Sequence, residues 1–276
     1  MEFRIPKESL ATVKAFFSDI DGTLIDNHSQ LHDTTRQAIA SLKLPFSLVS
    51  GRSGRGLKKF YDLLSLTTPM LTLNGAIILQ DGKVLYSDYL PQSDVRDILT
   101  LLWKKYGDAI SLETYDATRW YANTLANPYL KYEAKVLGFN PDVVFADPNE
   151  ISSLPMAKIM AIGESSACDA IEKDLAPFKE RLQVIRNHDT YIEIFTQTAS
   201  KGNAIRKASE ILKVPLEQTL CAGDSPIDLS MFLTCPFRVA VRNADPIIKA
   251  HANIITESND EDGIAKIIEA ILEARH

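Results

Sequence analysis

The chain has 276 residues, which is enough for two domains of ordinary size. Its 45% hydrophobic and 24% charged residues are typical of a soluble globular protein. Lys and Arg total 30 against 36 Asp and Glu, a net charge of −6 without a basic cluster, which argues against a nucleic-acid-binding protein. Any phosphate group must therefore be held by a few local cations or by a metal.

The cysteines indicate no covalent or zinc framework. Cys168, Cys221 and Cys235 are widely spaced and odd in number, and none lies in a Cys-x-x-Cys pair.

The first ten residues, MEFRIPKESL, contain no apolar signal core, and no apolar run approaches the length of a membrane span. We expect a cytoplasmic protein that does not contact a membrane.

Strand-like and helix-like segments alternate in the first part of the chain. Strands are predicted over residues 13–18, 45–50 and 69–76, and helices over 33–43 and 56–66. The strand VKAFFS is rich in aromatic and branched residues, as expected of a buried parallel strand. This β-α-β-α-β order predicts the α/β fold class, with a doubly wound parallel sheet.

The pattern changes after residue 76. Asp81-Gly82 lies between two apolar runs and predicts a hairpin. Strands and helices no longer alternate one for one beyond it, which predicts a separate α+β domain. The further elements expected there are a helix over 93–107, antiparallel strand material over 109–123, strands over 157–163 and 182–195, and a helix over 166–182.

The alternating pattern returns near residue 200. The elements expected there are helices over 200–215 and 262–274 and strands over 219–223, 237–244 and 253–258. The simplest domain arrangement is one α/β core made of residues 1–85 and 193–276. An α+β domain of residues 86–192 is then inserted into it.

Polar segments follow several predicted strands of the core, at the edge where open α/β sheets bind ligands. A single acid after a strand is often only a turn residue. The same edge repeatedly carrying acids, a hydroxyl and cations favours a functional site instead. The segments are Asp19/Asp21, Ser50-Gly51-Arg52, Asn74-Gly75 and Gly223-Asp224-Ser225, and Ser200-Lys201-Gly202 opens a helix in between.

The motifs DIDGTL, SGR, NGA, SKG and GDSPIDLSMF occur in this order along the chain. Their order and spacing are similar to those of the haloacid dehalogenase-like (HAD) phosphohydrolases, and most similar to the Cof-type subfamily with its class IIB cap. The resemblance covers nearly the whole chain, although the inserted domain carries no motif. It implies a Rossmann-like core with a cap, and a phosphatase that uses Mg²⁺ and an aspartyl-phosphate intermediate to hydrolyse small phosphorylated metabolites, sugar phosphates by default.

The resemblance also implies a role for the charged motif residues. Asp19 is the expected nucleophile, and Mg²⁺ is held by the Asp19 side chain, the Asp21 main-chain carbonyl and Asp224. Asp21 protonates the leaving alcohol and then activates water. Lys201 neutralises the phosphoryl oxygens and Asp19. Asp228 is either a partner of the metal and its waters or a capping residue of the following helix.

The remaining motif residues have the following expected roles. Ser50 is expected to hydrogen-bond the transferring phosphoryl group, and Gly51 to allow the close approach of the main chain. Arg52 either holds an anionic substrate group or is a solvated residue beside a helix cap. Asn74 with Gly75, and Asn243, position the substrate or Lys201, or are turn residues.

One position departs from the resemblance. The family usually has Asn directly before the second Asp of its fourth motif, whereas this chain has Ile227 in GDSPID. An apolar side chain cannot ligate Mg²⁺ or orient its water. A degenerate, non-catalytic phosphometabolite-binding protein therefore stays as an alternative to the phosphatase. A phosphomutase is a second alternative, because caps of this general type also occur in phosphomutases, and the sequence leaves the oligomeric state open.

Overall fold

The structure, a computed structural model, describes all 276 residues. The strands are β1 Glu2–Phe3, β2 Ala15–Ser18, β3 Phe46–Leu48, β4 Met70–Thr72, β5 Ile77–Gln80, β6 Lys83–Ser87, β7 Ser111–Tyr115, β8 Trp120–Ala122, β9 Val143–Val144, β10 Lys158–Ile162, β11 Leu182–His188, β12 Tyr191–Thr196, β13 Thr219–Gly223, β14 Phe237–Ala240 and β15 Ile254–Ile255. The α-helices are α1 Asp33–Ser41, α2 Gly54–Leu64, α3 Gln92–Tyr106, α4 Pro128–Leu137, α5 Ser165–Asp174, α6 Lys201–Leu212, α7 Leu229–Phe232, α8 Pro246–His251 and α9 Gly263–Glu273.

The chain divides into two compact units. The first consists of Met1–Tyr86 and Ser200–His276, and the second of Ser87–Ala199. Strand β12 pairs with β10 and β11 along its whole length, so it belongs to the sheet of the second unit. That unit therefore continues to Ala199, beyond the end expected at residue 192.

The main sheet of the first unit has the order β1-β15-β14-β13-β2-β3. All neighbouring strands in it are parallel except β1, which pairs antiparallel with β15. Alternate residues of the central strands enter two separate hydrophobic clusters: Phe16 and Leu220 pack in one, and Phe17 and Cys221 in the other. Burial on both faces is characteristic of a doubly wound sheet and confirms the predicted α/β class.

The central pair of strands defines the edge on which the candidate site lies. Strands β2 and β13 are parallel neighbours, with Phe17 opposite Cys221. The N–H of Asp19 donates to the carbonyl of Ala222 at 3.0 Å, which extends this pairing by one residue. Asp19 and Asp224 therefore leave adjacent strands side by side.

The predicted hairpin at Asp81-Gly82 is confirmed. Both residues have positive φ, 50° and 75°, as a two-residue hairpin turn with the favoured twist requires. The turn joins β5 to β6 in a three-stranded sheet of order β4-β5-β6.

The second unit contains a six-stranded sheet of order β11-β12-β10-β7-β8-β9. Its pairs are antiparallel except β8 with β9. Leu112, Ile159 and Ile194 of this sheet share one hydrophobic cluster with Ile98 of α3 and Ile171 of α5. The unit thus has its own core, as expected of an α+β domain.

Two predicted elements of the second unit differ in the structure. The helix expected over residues 166–182 ends at Asp174, because Pro177 lies in the next turn and lacks the N–H that a helix needs. The strand expected over 182–195 is two strands, β11 and β12, paired antiparallel. None of the helices combines the length and apolar character needed to cross a membrane.

His32 fastens the loop after β2 to the start of α9. Its Nδ1 lies 3.0 Å from Asp262 Oδ1, and its Nε2 lies 3.1 Å from Asp26 Oδ2. Two carboxylate acceptors favour the imidazolium, which has two N–H donors. Burial acts to lower the pKa of His32, but the hydrogen bonds and charges of Asp26 and Asp262 outweigh it and raise the pKa above its ordinary value.

We predict that this contact makes stability depend on pH. A raised pKa in the folded state means that the stabilisation is complete below the unfolded pKa of about 6.5 and is lost as the pH rises through the folded value. The free energy of unfolding should therefore fall more between about pH 6 and pH 8.5 in the wild type than in His32→Asn, measured by urea titration. Parallel pH dependence in the two proteins would contradict the assignment.

Candidate active site

Lys201 joins two of the predicted acids at the carboxyl edge of the sheet. Its Nζ donates to Asp19 Oδ1 at 2.7 Å and to Asp228 Oδ1 at 2.6 Å, and all three side chains are buried. Burial acts to lower the pKa of Lys201, but the two carboxylates outweigh it and raise the pKa. Lys201 is therefore held as the ammonium ion, and its positive charge compensates these two acids.

Burial is the largest influence on the pKa of Asp19. It raises the pKa of Asp19 well above the ordinary value, and the charge of Lys201 offsets only part of this effect. Asp228 and Asp224 add repulsion in the same direction as burial. Burial therefore disfavours the ionised form of Asp19, and a further cation nearby would favour it.

Asp224 approaches this group from the end of β13. Thr23 Oγ1 donates to Asp224 Oδ1 at 2.6 Å. Burial raises the pKa of Asp224 to about 6, although the hydrogen bond from Thr23 acts to lower it. Gly22 has φ of +81°, and a Cβ on it would lie 2.6 Å from Asp224 Oδ2, so only glycine fits this contact.

The acids have the geometry and charge that suit a divalent cation. One carboxylate oxygen from each of Asp19, Asp224 and Asp228 lies within 4.8 Å of the others. With Lys201 charged, three ionised carboxylates leave two negative charges uncompensated. No protein hydrogen bond reaches Oδ2 of Asp19 or Oδ2 of Asp224, so these atoms are available to a hard cation that prefers oxygen ligands.

Asp228 has both of its oxygens engaged by the protein. Oδ1 accepts from Lys201, and Oδ2 accepts from the main-chain N–H groups of Asp224 and Ser225 at 3.0 and 3.1 Å. Asp228 and Ser225 also form a capping box at the turn Pro226–Asp228. Its observed contacts are therefore those of a residue that orients Lys201 and the Asp224 loop.

The side chain of Asp21 lies outside the acidic cluster. Arg52 Nε donates to its Oδ2 at 2.9 Å, and Arg52 Nη2 donates to its Oδ1 at 2.6 Å, a bidentate pair. Arg52 lies over the ring of Phe60 at 5.7 Å, and its side chain is only 12% exposed. The guanidinium thus contacts the carboxylate of Asp21, a partner that was not among the two expectations for Arg52, an anionic substrate group or solvent.

The second and third motifs pack against each other. Ser50 is buried, and its Oγ accepts from the N–H of Arg52 at 3.2 Å, while its carbonyl accepts from the N–H of Asn74 at 3.0 Å. Asn74 has φ of 54°, and its Oδ1 would lie 3.2 Å from a Cβ on Gly51. Asn74 therefore lies in a turn beside the Ser50–Arg52 loop.

Asn243 contacts the first motif through a main-chain group. Its Nδ2 donates to the carbonyl of Gly22 at 2.7 Å, and its Oδ1 accepts from the N–H of Asn259 at 3.0 Å. Both ends of the amide are used in these bonds. The contact to Lys201 that was one of its expected roles is absent.

Two residues of the site were not singled out from the sequence. Thr23 belongs to the DIDGTL motif. Its hydroxyl lies shortly after the end of a predicted strand, and that position could have identified it as a residue of the site. Asn259 is a buried amide whose Nδ2 donates to the carbonyl of Ile25 at 2.9 Å. It lies far along the chain from any motif, so no local pattern indicated it.

Comparisons with known proteins agree on one family. The family model of the haloacid dehalogenase-like hydrolases matches residues 16–268. A Haemophilus influenzae protein named "Putative phosphatase" is 29% identical over 260 residues, which cover 93% of this chain and 97% of that protein. A 5-amino-6-(5-phospho-D-ribitylamino)uracil phosphatase of Bacillus subtilis is 24% identical over 302 residues, which cover 96% and 100%. The crystal structure of a haloacid dehalogenase-like hydrolase from Bacteroides thetaiotaomicron matches with a TM-score of 0.84 at 25% identity, covering 93% of this chain and 98% of that one.

We predict that Gly75 is required for the close packing of its loop against the start of the helix that carries Lys201. Gly75 has φ of +90°, and a Cβ on it would lie 2.3 Å from the main-chain oxygen of Ser200, the residue before Lys201. Gly82 has φ of +75° with no atom within 4 Å of its Cβ position, so it is a matched control. Gly82→Ala should cost about 1 kcal/mol of unfolding free energy, and Gly75→Ala roughly 3 kcal/mol or more. Equal costs in urea unfolding would contradict the packing argument.

Proposed function

This chain belongs to the haloacid dehalogenase-like hydrolase family, and we propose that it is a Mg²⁺-dependent phosphatase for small phosphorylated metabolites. The observation that carries the proposal is the group of Asp19, Asp224 and Lys201 at the carboxyl edge of a parallel sheet, in which Asp19 and Lys201 are buried. The relatives named as phosphatases support phosphatase activity. The acidic cluster supports a divalent cation.

The cation would be held by oxygen atoms of the first and fourth motifs. Oδ2 of Asp19 and Oδ2 of Asp224 accept no protein hydrogen bond, and the main-chain carbonyl of Asp21 is the third expected ligand. Oxygen-only ligation suits Mg²⁺ better than softer metals. When bound, Mg²⁺ supplies positive charge that reduces the repulsion between a carboxylate and a phosphate dianion.

Asp19 is the nucleophile in this proposal. Its carboxylate oxygen forms a bond to phosphorus while the bond from phosphorus to the alcohol oxygen breaks, which gives an aspartyl-phosphate and an alkoxide. Lys201, 2.7 Å from Asp19, stabilises the negative charge of the phosphoryl oxygens. The buried hydroxyl of Ser50 donates a hydrogen bond to the same group.

Asp21 carries the proton transfers. It gives a proton to the departing alkoxide and then takes one from the water that attacks the aspartyl-phosphate, which releases phosphate and restores Asp19. The bidentate contact with Arg52 holds the Asp21 side chain apart from the acids that are expected to bind metal. In this proposal one carboxylate oxygen of Asp21 leaves Arg52 when it carries a proton, because a guanidinium pair favours the ionised acid. Two acids two residues apart are thereby given different tasks.

The second unit is the cap that selects the substrate. Residues Ser87–Ala199 have their own core and are entered and left once by the chain, as expected of an inserted domain. Sugar phosphates and related phosphorylated polyols are the favoured substrates. One relative is named for a phospho-D-ribitylamino compound, which supports this class.

We predict that the protein hydrolyses p-nitrophenyl phosphate when Mg²⁺ is present and that chelation abolishes the reaction. Asp19→Asn should lose activity by several orders of magnitude, because it removes the nucleophile, and should stay folded by circular dichroism. A panel of phosphorylated metabolites then identifies the preferred substrate. Undiminished activity in chelator, or wild-type turnover by Asp19→Asn, would contradict the proposal, and an inactive but phosphometabolite-binding wild type would favour the binding protein.

We also predict that Ile227 raises the Mg²⁺ requirement. It lies half-buried in the turn Pro226–Asp228 and belongs to none of the three hydrophobic clusters, so an amide there is expected to be tolerated. Ile227→Asn should lower the Mg²⁺ concentration for half-maximal activity by about 10-fold, the size of effect typical of a gained partner to a metal or its water. An unchanged or raised requirement, with an unchanged melting temperature as the control, would overturn this prediction.

A further inference from the structure

The turn after β14 touches both loops that carry the candidate metal ligands. The side chain of Asn243 donates to the carbonyl of Gly22, three residues after Asp19, at 2.7 Å. Two residues further along the turn, the N–H of Asp245 donates to the carbonyl of Asp224 at 2.7 Å. One short turn therefore fixes a main-chain group of each loop.

These two loops contact each other at the carboxylate of Asp224. Gly22 packs so closely on Asp224 that a Cβ would lie 2.6 Å from Oδ2, the oxygen without a protein hydrogen bond. Thr23, the next residue, donates to the other oxygen of Asp224 at 2.6 Å. A shift of the Gly22 peptide would therefore change the position of the Asp224 carboxylate relative to Asp19.

The turn is hydrogen-bonded to a buried residue, Asn259. Asn243 Oδ1 accepts from the N–H of Asn259 at 3.0 Å, and Asn259 is only 4% exposed. The side chain of Asn259 donates to the carbonyl of Ile25 at 2.9 Å, so it holds the far end of the same loop. Asn243 itself is exposed, so its replacement leaves no cavity in the core.

We propose that Asn243 is a positioning residue for the metal site: its amide holds Gly22 against Asp224 and so sets the separation of the Asp19 and Asp224 carboxylates. The inference rests on the proposed function, because it assumes that these two acids ligate a cation. It assigns Asn243 a role that acts through the main chain of the first motif. Loss of a group that orients metal ligands commonly weakens metal affinity by 10–100-fold, and an exposed hydrogen bond is expected to give about 10-fold.

The test compares two exposed asparagines that fasten the same loop. Asn243→Ala removes the bond to Gly22. Asn27→Ala removes the bond from Asn27 Nδ2 to Asp260 Oδ2, 2.6 Å long, and a longer contact of 3.4 Å from Asn259 Nδ2 to Asn27 Oδ1. It leaves in place both bonds of Asn243, to Gly22 and to Asn259. Binding of Mn²⁺ alone, a spectroscopic substitute for Mg²⁺, is measured by electron paramagnetic resonance without substrate, and the melting temperatures are measured without metal.

We expect Asn243→Ala to bind Mn²⁺ about 10-fold more weakly and Asn27→Ala to bind it as the wild type does, with similar small decreases in melting temperature. Equal Mn²⁺ affinity in Asn243→Ala and wild type would overturn the inference. Equal weakening in both variants would also overturn it, because the effect would then be a general loosening of the loop. A wild type that binds no Mn²⁺ would instead contradict the proposed function itself.

Discussion

Mutual repulsion among three acids at one sheet edge is the constraint on which the rest of this site depends. Asp19, Asp224 and Asp228 bring carboxylate oxygens within 4.8 Å of one another, and two of the three side chains are buried. Removing charges from water is costly unless they are paired. Lys201 supplies one positive charge between Asp19 and Asp228, which leaves two of the three negative charges to be balanced by protons or by a further cation.

The two cations of the site divide its acids into separate groups. Lys201 is a point charge with rotatable donors, and it bridges two different carboxylates. Arg52 has a planar fork, and it holds both oxygens of one carboxylate, Asp21. This pairing keeps a fourth acid, Asp21, apart from the cluster.

The parts of the molecule that were predictable are those set by local pattern. Alternating apolar segments indicated β2, β3 and β13, and adjacent parallel strands must end at the same edge, so the grouping of Asp19 with Asp224 followed. Asp81-Gly82 indicated its hairpin because few other residues adopt positive φ at both positions. The contacts of Arg52 and Asn243 were not predictable in this way, because a long or polar side chain chooses its partner in three dimensions. For Asn243 those partners, Gly22 and Asn259, come from opposite ends of the chain.

The sheet of the second unit shows why its interior was harder to infer than that of the first. Strand β7, with the sequence SLETY, contains three polar residues, yet all five of its residues are buried. Glu113 accepts hydrogen bonds from Ser111 and from Trp120 Nε1, and Lys158 pairs with Glu193 on neighbouring strands. Burial raises the pKa of Glu113 to about 7 against these hydrogen bonds. A charged residue in a strand normally indicates solvent, and here hydrogen bonding satisfies it inside the protein, which is information that the one-dimensional pattern does not contain.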